Sequence, residues 1–153
     1  MDVSLVDVDK SCLSDYVALE KKNDLSYFMS RTRPYNYDEK NESTLLWKYI
    51  CIRNMRIGAL WIEKESEEST TATLGIFLSD EENSSKGIGT KAIEQAITQV
   101  KETMSLRKIE LHVRDSNLRA IRCYEKCGFR ETDRFHKEYM DENVCVIVMS
   151  CVL

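Results

Sequence analysis

The sequence predicts an α/β domain with a mixed sheet, because two kinds of periodicity alternate along it. Short segments rich in β-branched and aromatic residues are typical of strands, and longer segments with apolar residues every three or four positions are typical of helices. Their order is β-α-(α)-β-β-β-α-β-α-β-β. The chain has 153 residues, of which 42% are hydrophobic and 31% are charged. These values suit one hydrophobic core, so we expect residues 1–153 to form a single domain.

The first half of the chain predicts a strand, a helix and a hairpin. "VSLVDV" (residues 3–8) favours a strand, and residues 11–22 favour a helix. Residues 23–41 form an irregular region that contains several aromatic side chains and the only proline. In "LLWKYICIRNMRIGALWIEK", two runs of aromatic and β-branched residues meet around Asn54 and Met55, which predicts a hairpin.

The second half predicts strands that alternate with two helices. "TATLGIFLS" (71–79) and "RKIELHVR" (107–114) are typical of strands. From Ile88 the apolar positions are 88, 92, 93, 96, 97, 100 and 104, which predicts a helix with one buried face. "SNLRAIRCYEKC" predicts a helix that is capped by Ser116 or Asn117 and ends at Gly128. Two strands close the chain; the apolar run 144–153 predicts a buried strand, because it has about half the length of a membrane-spanning helix.

Composition and charge argue against several classes of function. The 26 acidic and 22 basic residues give a net charge of −4, which disfavours nucleic acid and favours a cationic small molecule or a basic peptide as partner. "MDVSLVDVDK" lacks the basic start and apolar run of a signal peptide, so we expect a cytoplasmic protein with no membrane partner. We expect the six cysteines to be free thiols. Cys123 and Cys127 share a helix face, but no second ligand pair stands at metal spacing, so no metal is expected.

The stretch "NSSKGIGTKAIEQ" (83–95) places Gly87 and Gly89 at the start of the first predicted long helix. Free N–H groups at a helix start, with no side chains to block approach, favour the binding of a phosphate. A tight turn without a ligand would use the same residues. "GIGTKA" also fits the dinucleotide pattern G-x-G-x-x-A, although eight residues separate Gly87 from the strand end at Leu78. A Walker A loop is excluded, because no G-K-[ST] follows.

"SSKGIGTKA" followed by "LHVRDSNLRAIRCYEKCGF" resembles the GNAT superfamily of acetyl-CoA-dependent N-acetyltransferases. The family loop [QR]-x-x-G-x-[GA] corresponds to residues 84–89, and its Asn, Tyr and Gly-Phe correspond to Asn117, Tyr124 and residues 128–129. The second motif is most similar to ribosomal-protein and spermidine N-acetyltransferases. Ser84 departs from the pattern, since the family has Gln or Arg there, and we expect weaker coenzyme A binding as a result.

The resemblance implies a mixed, mostly antiparallel sheet of six to seven strands with helices on both faces. It also implies that the fourth and fifth strands splay apart, and that the pantetheine arm of acetyl-CoA pairs with free backbone groups of the fourth strand in the slot between them. Acetyl-CoA is then a co-substrate, and no metal is needed. The residues expected to hold it are Phe77, Leu78, Ser79, Ser84, Ser85, Lys86, Gly87, Ile88, Gly89, Thr90, Asn117 and Tyr124.

The resemblance assigns catalysis to two side chains. Tyr124 is the expected proton donor to the departing thiolate, although a half-buried packing aromatic would have the same sequence pattern. The ribosomal-protein branch has a Glu twelve residues before this Tyr, and here that position is His112. An imidazole is a competent base at neutral pH. Strand alternation puts His112 on one face with Glu110 and Arg114, but it could equally face solvent, in which case Glu63 or a water molecule is the base.

The acetyl acceptor is left open between a protein N-terminus, a polyamine and another primary amine such as an aminoglycoside. The aromatic residues before and within the hairpin are expected mainly in the core, with a wall for the acceptor as the alternative; they are Tyr27, Phe28, Tyr35, Tyr37, Trp47 and Trp61. The resemblance also leaves a homodimer open. Two other functions compete with the enzyme: a non-catalytic module that binds acyl-CoA and a dinucleotide-dependent oxidoreductase.

Overall fold

A seven-stranded sheet with strand order β1-β2-β3-β4-β5-β7-β6 organises the molecule. The computed structural model describes residues 2–22, 31–79 and 87–153. In these ranges the strands are β1 Val3–Asp7, β2 Leu45–Ile52, β3 Met55–Glu63, β4 Thr71–Leu78, β5 Lys108–Arg114, β6 Arg130–Tyr139 and β7 Glu142–Val152. The helices are α1 Ser14–Lys21, α2 Ile88–Thr103 and α3 Leu118–Lys126, with a short 3₁₀ turn at Tyr37–Glu39. This order of elements is the predicted one.

Every strand pair in the sheet is antiparallel except β4 with β5. That parallel pair joins Thr71 to Lys108, Ala72 to Ile109 and Thr73 to Glu110, and the ladder ends there. Both strands continue beyond the ladder, β4 to Leu78 and β5 to Arg114, so a gap opens between them. The predicted splay between the fourth and fifth strands is therefore confirmed.

Tight turns and caps fix the ends of the elements. Arg53 and Asn54 have φ of 52° and 66°, the left-handed conformation of a two-residue hairpin turn, so the predicted hairpin is confirmed. Of the two candidate caps of α3, the structure selects Asn117, whose side-chain oxygen accepts a hydrogen bond from the Ala120 N–H at 3.3 Å. Gly128, with φ of 95°, follows this helix as predicted.

The first helix starts later than predicted. Its sequence favoured a start at residue 11, but α1 begins at Ser14. The Asp9 carboxylate accepts hydrogen bonds from the Ser11 N–H at 2.9 Å and from the Ser11 hydroxyl at 2.6 Å. The Cys12 N–H donates to the Asp9 backbone oxygen at 3.1 Å, so residues 9–12 form a separate turn before the helix. None of the described helices is long and apolar enough to cross a membrane.

Side chains alternate between two faces of the sheet, and each face carries its own apolar cluster. The face that packs against α2 and α3, here called the α2 face, includes Leu60 and Leu111. The opposite face packs against α1 and is called the α1 face; it includes Trp61, Phe77 and, from the helix, Tyr16. Helices therefore cover both faces, as predicted.

The aromatic residues before and within the hairpin have different environments. Trp47 and Trp61 are 5% and 1% exposed, which confirms their predicted place in the core. Tyr37 stacks on Trp47 with 4.9 Å between ring centroids. Tyr35 is 63% exposed, so the core prediction is wrong for this residue. Contacts of its N–H with Glu63 and of its ring with Arg31, rather than burial, fix its position. The predictions for Tyr27 and Phe28 lie outside the described residues.

Candidate active site

The gap between β4 and β5 exposes backbone polar groups of β4. The Ser79 N–H donates to the Ile57 oxygen on the β3 side at 2.6 Å, whereas the Thr70 oxygen accepts from the Arg107 N–H on the β5 side at 2.8 Å. Because the direction of these groups alternates along a strand, the N–H and C=O of Ile76 and Leu78 point into the gap. Of the residues predicted to bind along β4 and just after it, Leu78 thus presents its backbone to the gap, while the backbone groups of Phe77 and Ser79 face β3.

The two neighbouring predicted residues have other roles in the structure. Phe77 is 3% exposed, and its ring packs in the cluster on the α1 face, 6.1 Å from the Tyr16 ring. Ser79 is 9% exposed and extends the pairing with β3. Ile76 was absent from the predicted set of binding residues, because the sequence does not give the register that decides which backbone groups are free.

Helix α2 follows β4 in the chain, and Gly87 is the N-cap residue directly before it. Gly87 is exposed, has φ of 76°, and has open space within 4 Å of where a Cβ would stand. Its glycine requirement is thus the left-handed backbone. The N–H groups of the first helical turn have no acceptor within the helix and form a site that favours an anion. Ser84, Ser85 and Lys86 lie outside the described residues, so their roles stay predictions.

Gly89 has a different reason to be glycine. It is buried, and a Cβ there would lie 3.3 Å from the Sγ of Cys123 on α3. The neighbouring Thr90 hydroxyl lies 3.4 Å from the same sulfur, and the Cys127 thiol donates to the Thr90 oxygen at 3.8 Å. Gly89 therefore lets α2 and α3 approach each other closely. The sequence predicts a ligand-binding role for Gly89 and gives no signal of its packing role.

Cys123 and Cys127 share a polar environment at this contact between helices. A hydrogen bond with the Cys127 side chain, assisted by one with Thr90, lowers the pKa of the Cys123 thiol to about 7 in spite of burial. The same hydrogen bond, together with burial, raises the pKa of Cys127. All six cysteines are free thiols, as predicted, and the described residues contain no cluster that could hold a metal ion.

Tyr124 lies on α3, on the α2 face of the sheet. Its ring is half-buried and meets the Phe129 ring edge to face at 6.2 Å. Its backbone oxygen accepts from the Phe129 N–H at 3.0 Å, so the Gly-Phe motif holds the end of the helix that carries it. Burial, with smaller effects of Cys123 and Cys127, raises the pKa of the Tyr124 phenol. The hydroxyl therefore stays protonated at neutral pH and can donate a hydrogen bond.

His112 lies on the opposite side of the sheet from Tyr124. Its β5 neighbours Leu111 and Val113 are buried on the α2 face, whereas His112 is exposed on the α1 face and its ring meets the Phe135 edge at 5.5 Å. The predicted alternation along β5 is thus confirmed. His112 follows Glu110, the last paired residue of β5, by two positions, as Gly75 follows Thr73 on β4. His112 and Gly75 consequently flank the gap at the same level of the two strands.

Glu63, the alternative base, is held by three donors. It is 6% exposed and accepts from the Arg31 guanidinium at 2.6 Å, from the Tyr35 N–H at 2.8 Å and from the Lys40 ammonium at 3.2 Å. Both carboxylate oxygens are engaged in these contacts. A carboxylate in this arrangement is suited to anchoring a segment of chain.

The helix contact at Gly89 yields a prediction about stability. Gly89→Val should lower the free energy of unfolding by about 1–3 kcal/mol, because the new methyl groups collide with Cys123. Adding Cys123→Ala removes the sulfur, so the double variant should recover at least about 0.5 kcal/mol relative to the sum of the single changes. Urea unfolding of the wild type, the two single variants and the double variant, followed by tryptophan fluorescence, measures this. Strictly additive effects would contradict the packing role.

Comparison with known proteins agrees with this geometry. The family model described as "Acetyltransferase (GNAT) family" matches residues 11–129. The uncharacterized N-acetyltransferase YycN of Bacillus subtilis is 34% identical over 92 residues, which are 58% of this chain and 56% of that protein. The aminoglycoside N(6')-acetyltransferase type 1 of Klebsiella pneumoniae is 35% identical over 69 residues, 45% of this chain and 34% of that protein. The chain thus aligns with about half of one relative's length and a third of the other's.

Among solved structures, the spermidine N-acetyltransferase of Vibrio cholerae, in complex with CoA and spermine, has the same fold. Its TM-score is 0.77 at 20% sequence identity, over 98% of this chain and 95% of that chain. The family model covers more than half of the present sequence, including the α2 loop and the motif of α3. The chain therefore belongs to the GNAT acetyltransferase family.

Proposed function

We propose that this chain, as one domain over residues 1–153, is an N-acetyltransferase that moves an acetyl group from acetyl-CoA to a primary amine by direct attack in a ternary complex. The observation that carries the proposal is the gap between β4 and β5, which has free strand-edge groups along it and a candidate proton donor and acceptor on its two sides. A cytoplasmic location belongs to the same proposal, and the six free thiols are compatible with reducing conditions there.

The residues at the gap fit acetyl-CoA. The N–H and C=O groups of Ile76 and Leu78 can pair with the amide groups of an extended pantetheine arm, as a strand edge pairs with a peptide. The open first turn of α2, entered through Gly87, suits a pyrophosphate. Ser84, Ser85 and Lys86 complete the proposed loop. Asn117 uses its side-chain oxygen as the cap of α3, which leaves its amide nitrogen as a donor. When bound, acetyl-CoA supplies an activated thioester.

The two proposed proton transfers take place on opposite faces of the sheet. The α2 face is filled by α2 and α3, so an amine reaches the gap from the α1 face, where His112 is exposed. We assign His112 the removal of the ammonium proton there, directly or through water. Tyr124, on the α2 face, donates a hydrogen bond to the sulfur that leaves. A base and an acid on opposite sides of the gap can act on one reacting centre without neutralising each other.

The proposed acceptor is a small cationic amine, with a peptide N-terminus as the alternative. A relative of this chain is named for aminoglycosides, and a protein with the same fold was solved with spermine. A cavity of about 400 Å³ on the segment before β2 is lined in part by Asp38 and Glu39, which suit a cation, and by Arg33, whose charge is offset by Glu20. The net charge of −4 also favours a cationic acceptor.

A thiol-release assay with acetyl-CoA tests the function. We expect release of free CoA with at least one of spermidine, spermine, kanamycin or an N-terminal peptide, and none without an amine. Thermal unfolding with CoA or with NAD separates the competing functions, since a ligand of the native state raises the unfolding temperature. Protection by CoA without any release would instead favour a non-catalytic acyl-CoA module, and protection by NAD alone would favour an oxidoreductase.

Replacing Tyr124 by Phe removes the hydroxyl and keeps the ring. The turnover number should fall by about 10- to 1000-fold, the range of a lost general acid, while CoA affinity by calorimetry changes little. Tyr49→Phe, which removes a hydroxyl from the cluster on the α1 face, is the matched control. Full turnover in Tyr124→Phe would leave this residue with a packing role alone.

His112→Ala should lower kcat/KM by about 100-fold and should flatten its pH profile. The sign follows from the role: a base is active when deprotonated, so wild-type kcat/KM should rise with pH and then level off. His136→Ala, which changes the only other histidine of the chain, is the control and should keep the profile. A His112 variant that keeps both rate and profile would leave ordered water or Glu63 as the proton acceptor.

A further inference from the structure

Two carboxylates fasten the described part of the segment before β2 to the α1 face. Glu20 of α1 accepts from the Arg33 guanidinium at 2.7 and 3.0 Å and from the Thr32 hydroxyl at 2.6 Å. Burial favours the protonated form of Glu20, but these hydrogen bonds outweigh it and lower its pKa. Glu63 of β3 binds Arg31, Tyr35 and Lys40 in the contacts given above. Residues 31–40 are thus anchored at both ends.

Side chains in contact connect this segment to the gap. Trp61 stands opposite Gly75 in the β3–β4 ladder, and its indole fills the place where a Gly75 Cβ would lie. The Arg31 guanidinium is 5.5 Å from the Trp61 ring centroid and 3.7 Å from that of Tyr35. A chain of side-chain contacts, from the buried Trp61 through Arg31 to Tyr35, therefore connects the rim opposite His112 with the 400 Å³ cavity, which Tyr35 lines.

Tyr35 is an exposed aromatic residue with an unusually fixed position. Its N–H is bound by Glu63, and one face of its ring is covered by Arg31, which Glu63 also holds. With 63% of the residue exposed, the ring remains accessible to a ligand. Glu63 has a second effect, because its negative charge offsets Arg31 and Lys40, two cations that would otherwise repel an ammonium group.

We propose that Glu63 is a positioning residue for the acceptor amine: it holds Tyr35 as the docking surface and neutralises the cations beneath it. The inference rests on the proposed function and narrows its substrate to amines that carry a second cationic group, which contacts the exposed face of Tyr35 while the reacting amine lies in the gap. Glu63 acts through Arg31 and Tyr35 and takes no proton from the substrate.

Steady-state kinetics of Glu63→Gln test the inference, with spermine as the varied amine. Gln keeps a hydrogen-bond acceptor and loses the charge. We expect KM for spermine to rise by about tenfold, KM for acetyl-CoA to stay within about twofold, and the pH profile of kcat/KM to keep its shape. Glu131→Gln, which breaks an exposed pair with Arg134 on β6, is the control and should change none of these. A loss of kcat with loss of the pH dependence would overturn the proposal and make Glu63 the base.

Changes at Tyr35 provide a test that leaves Glu63 unchanged. This test therefore does not depend on whether the Glu63→Gln variant folds. Tyr35→Phe keeps the aromatic face and should keep KM for spermine, whereas Tyr35→Ala should raise it about tenfold. Unchanged KM in Tyr35→Ala would overturn the inference.

Binding of spermine, followed by the fluorescence of the two tryptophans, separates the two possible failures. Spermine that binds in a Tyr35-dependent way without acetyl transfer contradicts the proposed function and supports the docking surface. Equal affinity of wild type and Tyr35→Ala contradicts the docking surface, whatever the activity.

Discussion

The short parallel ladder between β4 and β5 is the constraint on which the site depends. Three residue pairs join these strands, and the ladder ends at Thr73 and Glu110. Had it continued, the backbone groups of Ile76 and Leu78 would be satisfied within the sheet, and His112 would lie in an unbroken surface. Because β4 stays paired with β3 and β5 with β7, the separation costs neither strand its other partner. The sheet therefore has free strand-edge groups in its interior, whereas most sheets have them only on their two outer strands.

The contact between α2 and α3 fixes two of the candidate site groups relative to each other. Gly89 brings the helices together at Cys123, and the next residue on α3 is Tyr124. The anion site at the start of α2 and the phenol on α3 are thereby held on one rigid unit. Gly87 and Gly89, one residue apart, serve two different requirements: the first allows a left-handed backbone and the second allows close helix packing.

Much of the fold was predictable, because periodicity reports which residues are buried. The helix from Ile88, the turn at Asn54 and the stop at Gly128 follow from local chemistry, and the structure has all three. The splay followed from resemblance. Contacts between segments that are distant in the chain could not be predicted from the sequence. The engagement of Glu63 by Arg31 and Lys40, and the exposure of Tyr35, depend on how residues 31–40 fold back on β3. The start of α1 was predicted too early, because residues 9–12 close a separate turn before the helix.

The sheet consists of two antiparallel halves, β1 to β4 and β5 with β7 and β6, that meet only through the short ladder in the strand layer. The meander from β2 to β4 can form from neighbours in sequence, whereas the junction needs the chain to pass through the whole of α2 before β5 returns to β4. Pairing of this kind is slow, because a long loop must close before the contacts form. The gap thus exists only where the two halves meet, so the candidate site belongs to neither half alone.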